Sequence, residues 1–127
     1  MKKAINTDTA PALVGPYNQS IAAGGMLYIS GQVAIDPSTG EMVQDTIESE
    51  TGQVLRNIGA VLQAAGLDFS DVVRCSVFVT DIGNFGRINT AYAAVFEGTV
   101  APARELVQVA RLPKDANIEI SAIALLR

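Results

Sequence analysis

The chain predicts an α+β fold, a mixed β-sheet with two helices packed on one face, from three observations. Two segments repeat apolar residues at the helical period of 3.6, the other apolar runs alternate with period two, and turn residues separate them. The resulting order is β-β-β-α-β-α-β-β. Each amphipathic element must bury its apolar side, so interleaved helices and half-apolar strands form a helix layer over a sheet. A chain of 127 residues with 49% hydrophobic content fits a single domain spanning 1–127.

The elements follow in order. Asn18 to Ala23 and Met26 to Ser30 flank Gly24-Gly25, the signature of a two-residue hairpin. Gly31 permits a bend or bulge before a third strand at Val33-Ala34-Ile35, and Asp36-Pro37-Ser38-Thr39-Gly40 is a turn. Ile47, Thr51, Val54, Leu55, Ile58, Val61, Leu62 and Ala65 share one helical face, predicting a helix from Thr46 to Ala65. Asp45 with Glu48 reads as its capping box, and Gly66 takes the position just past its end. Val72 to Thr80 is a strand with Val73, Cys75, Val77 and Val79 on one face and Arg74, Ser76 and Thr80 on the other. A second helix, Asn84 to Glu97, aligns Phe85, Ile88, Tyr92, Val95 and Phe96 and ends at Gly98. Pro102 to Ala110 and Ile118 to Leu126 then read as a terminal hairpin joined by the turn-rich Leu112 to Asn117. The last strand is apolar on both faces while the helices cover only one, so the sheet is expected to pack against further copies of the chain.

Composition narrows the chemistry. The chain has no histidine, which removes Ser-His-Asp and Cys-His nucleophile systems and the usual zinc sites. No metal-ligand cluster, phosphate-binding glycine loop or dinucleotide fingerprint is present. Cys75 is the single cysteine and shares its face with valines, so it reads as a core residue in a reducing compartment. Thirteen acidic residues against nine basic ones give a net charge of −4 without a basic stripe, which argues against nucleic acid as a partner. No apolar run reaches the roughly 20 residues of a membrane span, and Met1-Lys2-Lys3-Ala4 leads into polar Asn6-Thr7-Asp8-Thr9 rather than a signal core. A cytoplasmic protein is expected.

Two charges stand inside the closing apolar runs. Arg104 offers a planar fork suited to a carboxylate or phosphate, or to a structural ion pair. Glu119 has the chemistry to hold or activate a water if burial raises its pKa, or is an exposed glutamate on an edge strand. In a hairpin folded near Pro113, Glu119 faces the Gln108-Val109 region, about five residues and roughly 16 Å along the sheet from Arg104. Each charge therefore needs a separate partner, and a second copy of the chain can bring Arg104 near Glu119 of its neighbour. Asn89 lies about 40° in helical angle from Phe85, where its amide meets a loop or a ligand. Tyr17 follows Gly15-Pro16 and either offers its hydroxyl to a cleft or packs its ring, while Ser30-Gly31 ends a strand where main-chain groups leave the ladder.

Gly15-Pro16-Tyr17, Ser30-Gly31-Gln32, Pro102-Ala103-Arg104 and Ile118-Glu119-Ile120, in this order and spacing across the chain, resemble the Rid family of reactive intermediate deaminases, also called the YjgF/L-PSP family, and best its archetypal imine-deaminase branch. The resemblance implies a chorismate-mutase-like α+β fold and a homotrimer with a central β-barrel and clefts between subunits. It implies hydrolysis of 2-imino acids or their enamine tautomers, of the 2-iminopropanoate and 2-iminobutanoate type, to 2-oxo acids and ammonia, with no cofactor. Arg104 would then clamp the substrate carboxylate and Glu119 hold the attacking water, with Tyr17, Ser30, Gly31 and Asn89 lining the cleft. The chain departs from the family where a small residue and often a cysteine follow Pro-Ala-Arg. Here Glu105 and Leu106 follow; Leu106 shares Arg104's face and makes the cleft more apolar, and Glu105 needs a partner on the other face. Relatives described as ribonucleases make RNA cleavage the competing activity, and a non-catalytic, ligand-binding or chaperone-like trimer is the competing class.

Overall fold

Thr46 starts the longer helix, α1 (Ile47–Ala64), in the computed structural model, which describes residues 1–127. Its hydroxyl accepts the Ser49 N–H at 3.0 Å, and the Ser49 hydroxyl accepts the Thr46 N–H at 3.1 Å. The capping box therefore sits one residue beyond the expected Asp45–Glu48 pair, and the Glu48 carboxylate instead meets Arg87 at 2.7 Å. Past the helix, Gly66 takes φ +74°, the left-handed conformation that lets Gly66 and Leu67 donate back to the Gln63 and Leu62 carbonyls. The second helix, α2 (Phe85–Phe96), buries Ile88, Tyr92 and Phe96 and leaves Phe85 largely exposed.

The strands are β1 (Lys3–Ile5), β2 (Ser20–Ala23), β3 (Met26–Gln32), β4 (Val72–Val79), β5 (Ala103–Gln108) and β6 (Ile118–Leu125). They form one mixed sheet in the order β1-β2-β3-β6-β4-β5, with β4 and β5 parallel and every other neighbouring pair antiparallel. The expected terminal hairpin is absent, because β6 inserts between β3 and β4 while β5 pairs only with the far edge of β4. Burial explains the placement. Ile118, Ile120, Ala122 and Ala124 are buried and belong in the middle of the sheet under the helices, whereas β5 carries Arg104, Glu105 and Gln108, which an edge strand tolerates. The α2 crossover supplies the long connection that the parallel β4–β5 pair requires.

Two further expectations change at the N-terminal side. The third strand at Val33–Ile35 is reduced to a bridge between Ile35 and Met42, because β3 bulges between Ile29 and Gln32 and the chain then leaves the ladder. Its carbonyls find another partner: the buried Asn57 side chain on α1 donates to the Val33 and Ile35 oxygens at 3.0 and 2.9 Å. The first strand is instead Lys3–Ile5, short and mostly exposed, with no alternation to mark it. On β4, an irregularity between Val72 and Arg74 turns Val72 inward and Val73 out to solvent, contrary to the expected face for Val73.

One apolar core joins α1, α2 and the helix-side face of the sheet, with Cys75 buried in it as expected. The other sheet face has no cover, and Tyr28 and Leu125 on it are 47% and 53% exposed. No helix is long and apolar enough to cross a membrane.

Candidate functional site

The first group of candidate residues gathers on the uncovered side of β3 and β6. Glu119 alternates with the buried isoleucines of β6 and so points away from the helices, opposite Phe78 on the central β4. It is neither on an edge strand nor opposite Gln108–Val109, as the hairpin reading had it. Gly31, at the bulge of β3, lies against it: a Cβ there would stand 2.8 Å from Glu119 Cδ. Only a residue without a side chain lets the carboxylate occupy this place. Burial pushes the Glu119 carboxyl above its ordinary value of 4.5, and no cation or hydrogen-bond donor opposes that shift.

A cavity of about 160 Å³ opens over Glu119, walled by Tyr17, Gly31, Pro113, Lys114 and the Pro11–Val14 segment. Gln19 fixes that segment from within the fold, donating to the Thr7 and Pro11 carbonyls at 3.0 and 2.8 Å and accepting the Thr7 N–H at 2.7 Å. Ser30 spends its hydroxyl on the Asn18 carbonyl at 2.6 Å, so it braces the wall rather than facing the cavity. Tyr17 is 47% exposed at the rim, with its ring edge near Gly15.

The second group lies between β5 and α2. Arg104 is opposite Cys75 and therefore faces the helices. Its Nη1 donates to Asn89 Oδ1 at 2.8 Å, and its guanidinium carbon stands 4.8 Å from the Tyr92 ring centre and 5.8 Å from that of Phe85. Phe85, Asn89 and Tyr92 repeat at the helical period, so one stripe of α2 cradles the arginine. That periodicity was legible, but it marked the two aromatic rings as core rather than as supports for a charge. Leu106 pairs with Val77 on the same face as Arg104 and packs on the core. Glu105 finds the partner it needs on the other face, in Arg74 at 2.8 Å and Ser76 at 3.0 Å. Tyr92 buries its hydroxyl against the Cys75 thiol, a weak partner. Burial, above all, raises the pKa of both this phenol and the Cys75 thiol.

Arg104 has no carboxylate partner in the chain, whose ion pairs all involve other residues. The register sets the two candidate charges about three residues apart along β4 and two strand spacings apart across it, roughly 14 Å, on opposite faces. A small molecule cannot touch both within one chain. No group of three or more His, Cys, Asp or Glu side chains converges as a metal site.

Comparison with known proteins gives consistent matches over the whole chain. The family model described as Endoribonuclease L-PSP matches residues 7–126. Protein DfrA of Myxococcus xanthus is 49% identical over 97% of this chain and 95% of that protein. The 2-iminobutanoate/2-iminopropanoate deaminase of Salmonella typhimurium is 45% identical over 100% of both. Among solved structures, YyfA of Yersinia pestis, described as a protein of unknown function in the conserved Rid protein family, superposes with a TM-score of 0.97 at 46% identity, covering 99% of this chain and 100% of that one.

Proposed function

Because this chain belongs to the endoribonuclease L-PSP family, which includes the Rid proteins, we propose that it hydrolyses 2-imino acids of the 2-iminopropanoate and 2-iminobutanoate type to 2-oxo acids and ammonia. The observation that carries the reading is the pair of unpartnered charges: a guanidinium preset by Asn89 and Tyr92, and a carboxylate of raised pKa in a cavity. The deaminase name of the Salmonella relative, at 45% identity, supports it.

In this reading three chains pack their uncovered sheet faces into a barrel, and Arg104 of one chain completes the Glu119 cavity of the next. Arg104 binds the substrate carboxylate bidentately, which fixes C2 before Glu119. Glu119 orients a water and takes one of its protons as the oxygen bonds to C2 and the C=N electron pair moves to nitrogen. Glu119 passes that proton to nitrogen, then takes the hydroxyl proton and delivers it to nitrogen as well, so that the C–N bond breaks as the oxygen forms the carbonyl and ammonia leaves. The Leu106 carbonyl accepts a hydrogen bond from the imine nitrogen, and the Leu106 side chain shapes the space beside it. An imine is already electrophilic, so positioning and proton transfer suffice without a cofactor.

Mixing two inactive variants tests both the chemistry and the assembly. Arg104→Lys removes the fork and Glu119→Gln removes the base, so each alone is expected to lose most turnover. Co-refolded in equal amounts, they should regain activity in about one cleft in four, because half the arginine sides and half the glutamate sides remain intact. No recovery in the mixture means that both groups serve one cleft from the same chain. RNA cleavage assayed beside imine hydrolysis on these proteins tests the competing activity.

A further inference from the structure

Glu50 is a buried carboxylate that the proposed hydrolysis does not use. It stands in the first turn of α1 with 0% exposure and forms no ion pair. One oxygen accepts the Asn117 main-chain N–H at 2.8 Å and the other accepts the Asn117 side-chain amide at 2.8 Å. Gln44 donates to Glu50 at 3.4 Å and to the Asp115 carbonyl at 3.1 Å. A carboxylate so deeply desolvated is sustained only while these donors remain docked on it.

What it grips is a strained turn. Lys114 and Asp115 are consecutive non-glycine residues at φ 57° and 52°. Such a conformation persists only where its surroundings hold it, and it concentrates at functional sites. The turn has a direct relation to the Glu119 cavity, because Pro113 and Lys114 form part of its wall. Asn117 also accepts the Thr80 N–H through its carbonyl at 3.1 Å, tying the turn to the end of β4 just before β6 delivers Glu119.

We propose that Glu50 is a positioning residue whose buried carboxylate clamps Asn117, holds the left-handed Lys114–Asp115 turn and thereby fixes the wall that keeps bulk water from Glu119. Its consequence for turnover rests on the imine-hydrolase reading; its consequence for the turn and for Glu119 does not. The other titratable groups lining the cavity are Tyr17 and Lys114, and neither replaces the clamp.

The test compares wild type with Glu50→Gln, which sets an amide donor against the donors of Asn117, and with the milder Asn117→Ala, which keeps the main-chain donor. Hydrogen exchange at the amides of 116–118 is expected to rise roughly tenfold in Glu50→Gln, the factor that loss of one hydrogen bond to a charged group supplies. The carboxyl carbon of Glu119, followed by NMR, should titrate at lower pH than in wild type, because water reaches it. In imine turnover the acid limb of kcat should move the same way while KM stays within about twofold; general loss of folded protein lowers the rate without moving the limb. Wild-type exchange in a folded Glu50→Gln protein, or faster exchange with an unmoved Glu119 titration, overturns the proposal. If Glu50→Gln does not fold, the same two readouts on Asn117→Ala decide. If wild type hydrolyses no imine, the functional reading fails, and exchange and titration alone judge the clamp.

Discussion

The 2.8 Å approach between a hypothetical Cβ on Gly31 and Glu119 Cδ makes Gly31 the most informative single position for mutagenesis. The neighbour is the end of a flexible side chain, so Gly31→Ala displaces the carboxylate at little cost to the fold. Turnover is expected to fall by about two orders of magnitude, as for a misplaced catalytic group, with a melting temperature within a few degrees of wild type. An active Gly31→Ala protein would show that Glu119 does not work from this pose. The raised carboxyl pKa sets the pH dependence. A base must be deprotonated, so kcat should rise with pH through a limb lying above 4.5, and fall as acid protonates Glu119. Glu119→Gln should remove that limb along with most of the rate. At this scale the candidate charges and Gly31 were legible, since charges inside apolar runs and a glycine at a strand end are local signals. The arginine's aromatic cradle was not, because Tyr92 sits on the same stripe as Ile88 and Phe96 and periodicity cannot tell a core ring from one that also faces a cation.

Among the elements, both helices were legible to within a residue or two, because each combines a 3.6-residue stripe with a glycine just past its end. The strands were harder for a physical reason. Alternation marks which face of a strand is buried but not which strand lies beside it, and two consecutive apolar runs with a proline turn look the same whether they pair or straddle a third strand. β5 and β6 straddle β4, and that choice depends on burial demands from both helices at once. The strap at Val33–Ile35 has a checkable dependence on α1, because Asn57 donates to two of its carbonyls, and only the Val33 oxygen has a second donor, the Ile35 N–H at 2.8 Å. Asn57→Ala leaves the Ile35 oxygen without a donor and the Val33 oxygen with one, and should cost about 1 to 3 kcal/mol in chemical denaturation. A cost below about 1 kcal/mol would mean that the strap's carbonyls find water instead.

For the whole molecule, the decisive surface is the sheet face opposite the helices. Tyr28 and Leu125 are about half exposed there, beside half-buried Ile123, in a chain whose other sheet face carries the helices and the core. Leu125→Lys places a charge on the proposed barrel contact, at the end of β6. Light scattering should show the mass falling from three chains to one, with imine turnover lost because no cleft retains both charges. A trimer of normal activity in this variant would move the assembly to another face. The insertion of β6 also governs how the protein is made. Its partners on β3 lie roughly a hundred residues earlier, from Met26 against Leu125 to Gln32 against Ile120, so the sheet is closed by pairings of high contact order. A nascent chain that has not yet emerged through Leu125 therefore holds β3 and β4 as two open edges with nothing between them. Folding should be slow for a domain of this size, and the interval before closure is when the exposed edges are most prone to pair with other chains.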